Sequence, residues 1–142
     1  MTLRIMMVGI LLLASVTTVG ALAGCTSGEQ QEEEEEVGNY TDLSAAEAKQ
    51  LIDDNLDVII IDVSPDYAAG HLPGAVSYYL GDGSLDAAIP TLDKDATYLV
   101  YCHAEGPART GAQKLVDAGF TDVYRLDGDY AAWVAAGYPI ET

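Results

Sequence analysis

Positive charge is what this sequence most lacks: 6 Lys and Arg stand against 23 Asp and Glu, leaving a formal charge of -17 at neutral pH. Such a chain repels nucleic-acid phosphates and anionic lipid headgroups alike, which excludes nucleic acid as a natural partner. The same acidity keeps a protein soluble in concentrated salt without identifying its source. Cysteine is nearly missing too, with only Cys25 and Cys102 in the chain. There is no Gly-rich phosphate loop, no zinc-ligand spacing and no internal repeat, so no metal and no cofactor is expected. At 142 residues there is room for one ordinary domain and none for two.

What is present begins with an N-terminal segment of a different character. Residues 1–24 carry one cation, Arg4, then an apolar run over residues 5–23 that ends in small residues. That is the pattern of an export signal. The junction Leu22-Ala23-Gly24-Cys25 resembles the lipobox of prokaryotic lipoproteins, and the resemblance implies that Cys25 is acylated and becomes the mature N-terminus. The alternative is an uncleaved anchor, since the run approaches the ~20 apolar residues that a spanning helix needs. Either way the remainder of the chain is expected outside the cytoplasmic membrane, lipid-anchored to its outer face in the first reading. Residues 26–39, TSGEQQEEEEEVGN, bury too little apolar surface to offset the entropy of ordering them. They read as a disordered acidic tether, self-repelling and extended, with a reach limited to roughly 50 Å. Asn39-Tyr40-Thr41 fits the N-glycosylation pattern, which matters only in a host that glycosylates exported proteins.

From residue 40 to 142 the chain alternates between strand-like and helix-like stretches. Ser44-Ala45-Ala46-Glu47 is a capping-box pattern that opens a helix through about Asp54, with Ala48, Leu51 and Ile52 on its apolar face. The runs VIIID (residues 58–62) and TYLVY (97–101) are continuous and apolar, as strands buried on both faces must be. A helix is expected from about Pro107 to Ala118, stopped by Gly119. A third strand follows at residues 123–126, and a last helix runs from Tyr130 to Ala136 and ends at Gly137. Strands alternating with helices predict an α/β fold built on a parallel sheet covered on both faces.

With Cys25 assigned to the lipid, Cys102 has no partner within the chain and must be either buried and inert or functional. It directly follows a buried strand and precedes a short loop, His103-Ala104-Glu105-Gly106, that leads into a helix. Ligands of open α/β sheets bind at the carboxyl ends of strands, and helix N-termini offer free N-H groups and a positive dipole end. Position therefore favours a reactive thiol with a pKa below the ordinary ~8.5.

Two segments carry a family resemblance. DVSPDYAAGHLPGA (residues 62–75) and YCHAEGPARTGAQKLVDAGFTDVYRLDGDYAAWVAAGYP (residues 101–139) resemble the first signature and the active-site strand, loop and helix of rhodanese-like domains. The resemblance implies a five-stranded parallel sheet with helices on both faces, in a single domain over residues 40–142. It also implies that Cys102 is the nucleophile of a thiosulfate-type sulfurtransferase. A small sulfur-containing anion would give one sulfur atom to that thiol, and the persulfide would pass it to a thiol or protein acceptor. The surrounding residues His103, Ala104, Glu105, Gly106, Pro107 and Ala108 would then form the anion loop. Aligned N-H groups suit a persulfide's negative charge, Gly106 permits close backbone approach, and His103 offers either a proton or an exposed loop side chain.

The sequence departs from active members in two places. Where they carry Arg and then Ser or Thr, this chain has Pro107 and Ala108, with Arg109 displaced by two residues. On a helix that displacement is a rotation of about 200°, which turns Arg109 away from the loop and leaves it at most an anion contact from the side. Ser64 stands where many members have Arg, and Glu105 sets a carboxylate in the loop. Asp62 and His71 are expected to support the site as capping and turn-forming residues, and Trp133 with Tyr124, Tyr130 and Tyr138 to pack the core or its rim. Three readings remain. The first is a monomeric sulfurtransferase or sulfur-relay protein; the second, a non-catalytic rhodanese-like binding module. The third is a Cys-dependent phosphatase or arsenate reductase, whose Cys-to-Arg pattern has five intervening residues where this chain has six.

Overall fold

Strand formation follows the β-branched runs. The computed structural model describes residues 39–142, so the expected export signal, Cys25 and most of the expected acidic tether lie outside the described residues. The elements run β1 (Thr41–Leu43), α1 (Ala45–Asp54), β2 (Ile59–Asp62), β3 (Val76–Ser77), α2 (Ser84–Ala88), β4 (Thr97–Tyr101), α3 (Pro107–Asp117), β5 (Asp122–Leu126) and α4 (Asp129–Ala135). Five strands form one sheet in the order β1-β5-β4-β2-β3, with every pairing parallel. The central β4 pairs with β2 in a register that sets Asp62 beside Tyr101.

Side-chain alternation along the strands divides the core in two. Tyr98, Val100 and Cys102 point to one face with Ile61, Val63, Leu85, Ala108, Ala112 and Leu115, under α2 and α3. Leu99, Tyr101 and Ile60 point to the other with Ala48, Leu126 and Trp133, under α1 and α4. Helices on both faces are what let the central strands be apolar on both sides. Each fully buried large side chain, such as Leu115 or Leu99, contributes roughly 1.5–3 kcal/mol by leaving water.

The local signals act as their chemistry dictates. Ser44 caps α1, and the Glu47 carboxylate returns a bond to the Ser44 N-H, which completes the capping box. Helix α3 starts with Pro107 at its first turn, where a missing N-H is harmless. It ends at Asp117, with Gly119 beyond it at φ 91°. Gly111 lies on the buried side of α3, where a Cβ would come within 3.1 Å of Val63 and 3.3 Å of Val100. Its missing side chain lets the helix sit close to the sheet. The edge strands β1 and β3 and the five-residue α2 are too short to leave a periodic pattern in the sequence.

Candidate functional site

Cys102 lies one residue beyond the end of β4 and is 2% exposed. It is the one free cysteine among the described residues. Together with Val63, Ser64, Pro65 and Asp66 after β2, Tyr79, Leu80 and Gly81 after β3, and His103, Ala104 and Pro107, it lines a pocket of about 290 Å³. Three consecutive carboxyl-terminal strand ends thus supply the walls, the usual place for a ligand in an open parallel sheet. The backbone N-H groups of Ala104 and His103 favour negative charge on the sulfur.

The residues expected in the loop divide among three environments. Cys102, His103, Ala104 and Pro107 line the pocket, Glu105 and Gly106 are exposed beside it, and Ala108 is wholly buried on the inner side of α3. Gly106 has φ 103°, a backbone conformation open to glycine and strained for other residues, and it places the loop's turn immediately before Pro107. Arg109 is exposed and does not line the pocket. Its charge is instead felt by Asp42 on the edge strand β1. His71 lies elsewhere, stacked on Tyr67 with ring centroids 3.8 Å apart and with Nδ1 3.0 Å from the Tyr67 carbonyl. Its backbone pairs with Glu141, which ties the last residues of the chain to the turn before β3.

Beneath the pocket sit two buried carboxylates. Asp62 is completely buried; its Oδ1 accepts from the Ser64 N-H at 2.8 Å, and its Oδ2 lies 3.4 Å from His103 Nε2. Neither Oδ2 nor Nε2 has a hydrogen-bond partner among the described residues. The His103 ring is also stacked on Tyr130, with centroids 4.0 Å apart and planes 11° apart, which fixes its orientation. Asp129 was not singled out by the sequence reading. Its Oδ1 accepts from the Cys102 N-H at 3.2 Å, its Oδ2 is buried without a partner, and its φ of 55° is the one positive value at a non-glycine among the described residues. The turn dipeptide Asp127-Gly128 just before it is the signal that could have drawn attention to this backbone.

These surroundings reverse the expected ionisation of the thiol. Burial pushes Cys102 above the ordinary thiol value; the N-H groups of Ala104 and His103 pull it down, while the charges of Asp129 and Asp62 push it further up. The helix-start argument fails because α3 begins five residues after Cys102 with a proline that has no N-H to offer. The Cys102 N-H itself is already taken by Asp129. Asp129 is in turn raised, first by burial, against the opposing effects of the Cys102 N-H and the Arg125 charge. Arg125 is not available to the pocket: it is buried in β5 and bound to Asp42 at 2.6 Å and Asp127 at 2.8 Å. Among the described residues no three His, Cys, Asp or Glu side chains converge as a metal site would require.

Comparison with known proteins places this geometry. The family model described as Rhodanese-like domain matches residues 44–136. The thiosulfate sulfurtransferase GlpE of Pseudomonas paraeruginosa is 31% identical over 100 residues, which is 70% of this chain and 88% of that one. The enzyme of the same name from Pseudomonas fluorescens is 34% identical over 106 residues, 75% of this chain and 94% of its own. Among solved structures, the rhodanese-like domain of an Anabaena sp. protein superposes with a TM-score of 0.64 at 29% identity, covering 72% of this chain and 80% of that chain.

Proposed function

The chain belongs to the rhodanese-like domain family, and from that premise we propose that it is a sulfurtransferase or sulfur-relay protein forming a persulfide on Cys102. The observation that carries the reading is the position of that sulfur. Cys102 lines a pocket at the carboxyl ends of the central strands, and the N-H groups of Ala104 and His103 favour negative charge on its sulfur. In the forward step the Cys102 thiolate attacks the outer sulfur of a donor, a Cys–S–S bond forms, and the donor's own bond to that sulfur breaks. The donor residue leaves with the electron pair. In the second step an acceptor thiolate attacks the persulfide's outer sulfur and regenerates the Cys102 thiolate, so the protein is unchanged over the cycle. Backbone N-H groups suit both states, because they stabilise negative charge on sulfur without competing for protons.

In the same reading residues 1–24 are an export signal and Cys25 carries the lipid. The acidic stretch that ends at residue 39 holds a monomeric domain off the outer face of the cytoplasmic membrane. Metabolic lipid labelling should mark the wild type and not Cys25→Ser; an unlabelled wild type removes the anchor from the proposal.

One observation favours the rival, a binding module with an unused thiol: burial and two carboxylates hold Cys102 in its protonated form. The phosphatase reading has less support, since it needs an arginine in the anion pocket and Arg109 is not there. Intact-mass measurement after exposure to thiosulfate or polysulfide decides between transfer and binding. The proposal expects a gain of one sulfur atom, lost on treatment with a thiol and absent in Cys102→Ser. No gain from any donor would leave the binding module.

A further inference from the structure

The pocket that holds Cys102 has no positive charge to meet an anion. Its lining is mainly apolar, from Val63, Pro65, Leu80, Ala104 and Pro107, and its one acidic member is Asp66. The one lining side chain able to become cationic, His103, has its Nε2 3.4 Å from the buried Oδ2 of Asp62, so any charge it gains is answered from beneath the site. The other cations near this end of the sheet face elsewhere: Arg109 outwards, near Asp42, and Arg125 into its pair of carboxylates. A third acid, Asp129, occupies the N-H of Cys102 that could otherwise have contributed to an anion cradle. Around all this lies a chain with a formal charge of -17, whose field disfavours the approach of any dianion.

Resting on the sulfurtransferase reading, we propose that this pocket selects a sulfur donor with an uncharged, apolar carrier group, an organic persulfide R–S–S–H, over thiosulfate and over persulfides carried on carboxylates. A carrier that is itself charged would shed water here without gaining a cation, whereas an uncharged one gains the apolar walls. At about 290 Å³ the pocket suits a carrier of roughly ten heavy atoms, at the small end of ligand sites. The step balances without an added oxidant. Cys102 gives up its thiol proton and its sulfur attacks the outer sulfur of R–S–S–H. The R–S to S bond breaks, and the leaving R–S⁻ takes up a proton to give R–SH beside Cys102–S–S–H. Both protons pass through the solvent of the pocket, because the Nε2 of the lining residue His103 is itself buried, 3.4 Å from Asp62 Oδ2.

A matched pair of donors tests the charge alone. The full chain, purified in mild detergent, is mixed with the persulfide of N-acetylcysteine, with the persulfide of its methyl ester, or with thiosulfate. Sulfur gain at Cys102 is followed over time by intact mass, each rate being divided by that donor's rate with a free thiol in solution. The ester persulfide is expected to load Cys102 at least tenfold faster than either anionic donor, and Asp66→Asn, at an exposed position, to narrow the gap severalfold. Equal or faster loading by thiosulfate or by the carboxylate persulfide would overturn the donor selectivity while leaving sulfur transfer intact. Loading by none of the three, with the fold intact by circular dichroism, would overturn the sulfurtransferase reading and the selectivity with it.

Discussion

Replacing Asp129 by Asn removes one negative charge from under the nucleophile and little else. The amide oxygen can keep the bond from the Cys102 N-H, and Asn is among the residues best tolerated at a positive φ such as the 55° found here. The Cys102 sulfur is three bonds from the nitrogen that Asp129 holds at 3.2 Å, so the carboxylate charge lies within about 7 Å of it. At that separation, with an effective dielectric constant of about 20, the repulsion of a thiolate is about 2.4 kcal/mol. Solvent in the open pocket reduces this, and a remainder of about 1.4 kcal/mol is a tenfold change in thiolate fraction. Asp129→Asn is therefore expected to speed alkylation of Cys102 by a neutral reagent about tenfold at pH 7. Its pH midpoint should move down by a corresponding amount, with the thermal midpoint shifted by no more than a few degrees. An alkylation rate that is unchanged or slower in a folded variant would refute the claim that Asp129 holds the thiol protonated.

Four further outcomes follow from the geometry. Burial raises the Cys102 thiol, so its contribution to stability is fully present below the ordinary thiol pKa and is lost as pH rises through the raised one. Denaturant titrations should show that alkaline slope flattened in Cys102→Ser, with the buried Tyr101, also raised, adding a slope of the same sign at higher pH. Pro107→Arg would set a cation on the pocket wall and is expected to raise thiosulfate loading about tenfold or more, the equivalent of one charge-assisted hydrogen bond. Arg109→Ala should leave it unchanged, and a large loss there would show that Arg109 reaches the site. Gly106→Ala meets no atom within 4 Å but must hold φ 103°, so a loss of about 1–2 kcal/mol in chemical denaturation is expected from strain alone.

What could be read from the residues was what depends on near neighbours. The capping box at Ser44 and Glu47 forms as its four-residue pattern implies. The runs around Ile60 and Leu99 become central strands because only burial on both faces suits such sequences. Cys102 falls at a strand end beside a helix, as position in the chain already implied. The three-residue β1 and two-residue β3 could not be read, since alternation needs more residues than they have; the count of five strands came from the family resemblance. Thiol ionisation was misjudged for a related reason. The local terms, a loop of N-H groups and a helix start, were visible, whereas the opposing carboxylate arrives from Asp129, 27 residues further along the chain. Asp62, 40 residues upstream of Cys102, is brought close only by the pairing of β2 with β4.

The shortness of β1 and β3 has a bearing on behaviour in a crowd. Both borders of the described sheet are stubs, largely exposed, and each offers only a few unsatisfied backbone groups to a passing chain. Long, flat borders are the templates on which neighbouring copies add strands and aggregate. If many copies share one membrane surface, as the proposed lipid anchor would allow, their local concentration is far above that in free solution. Sheets with such curtailed borders can be packed together there and still remain separate molecules.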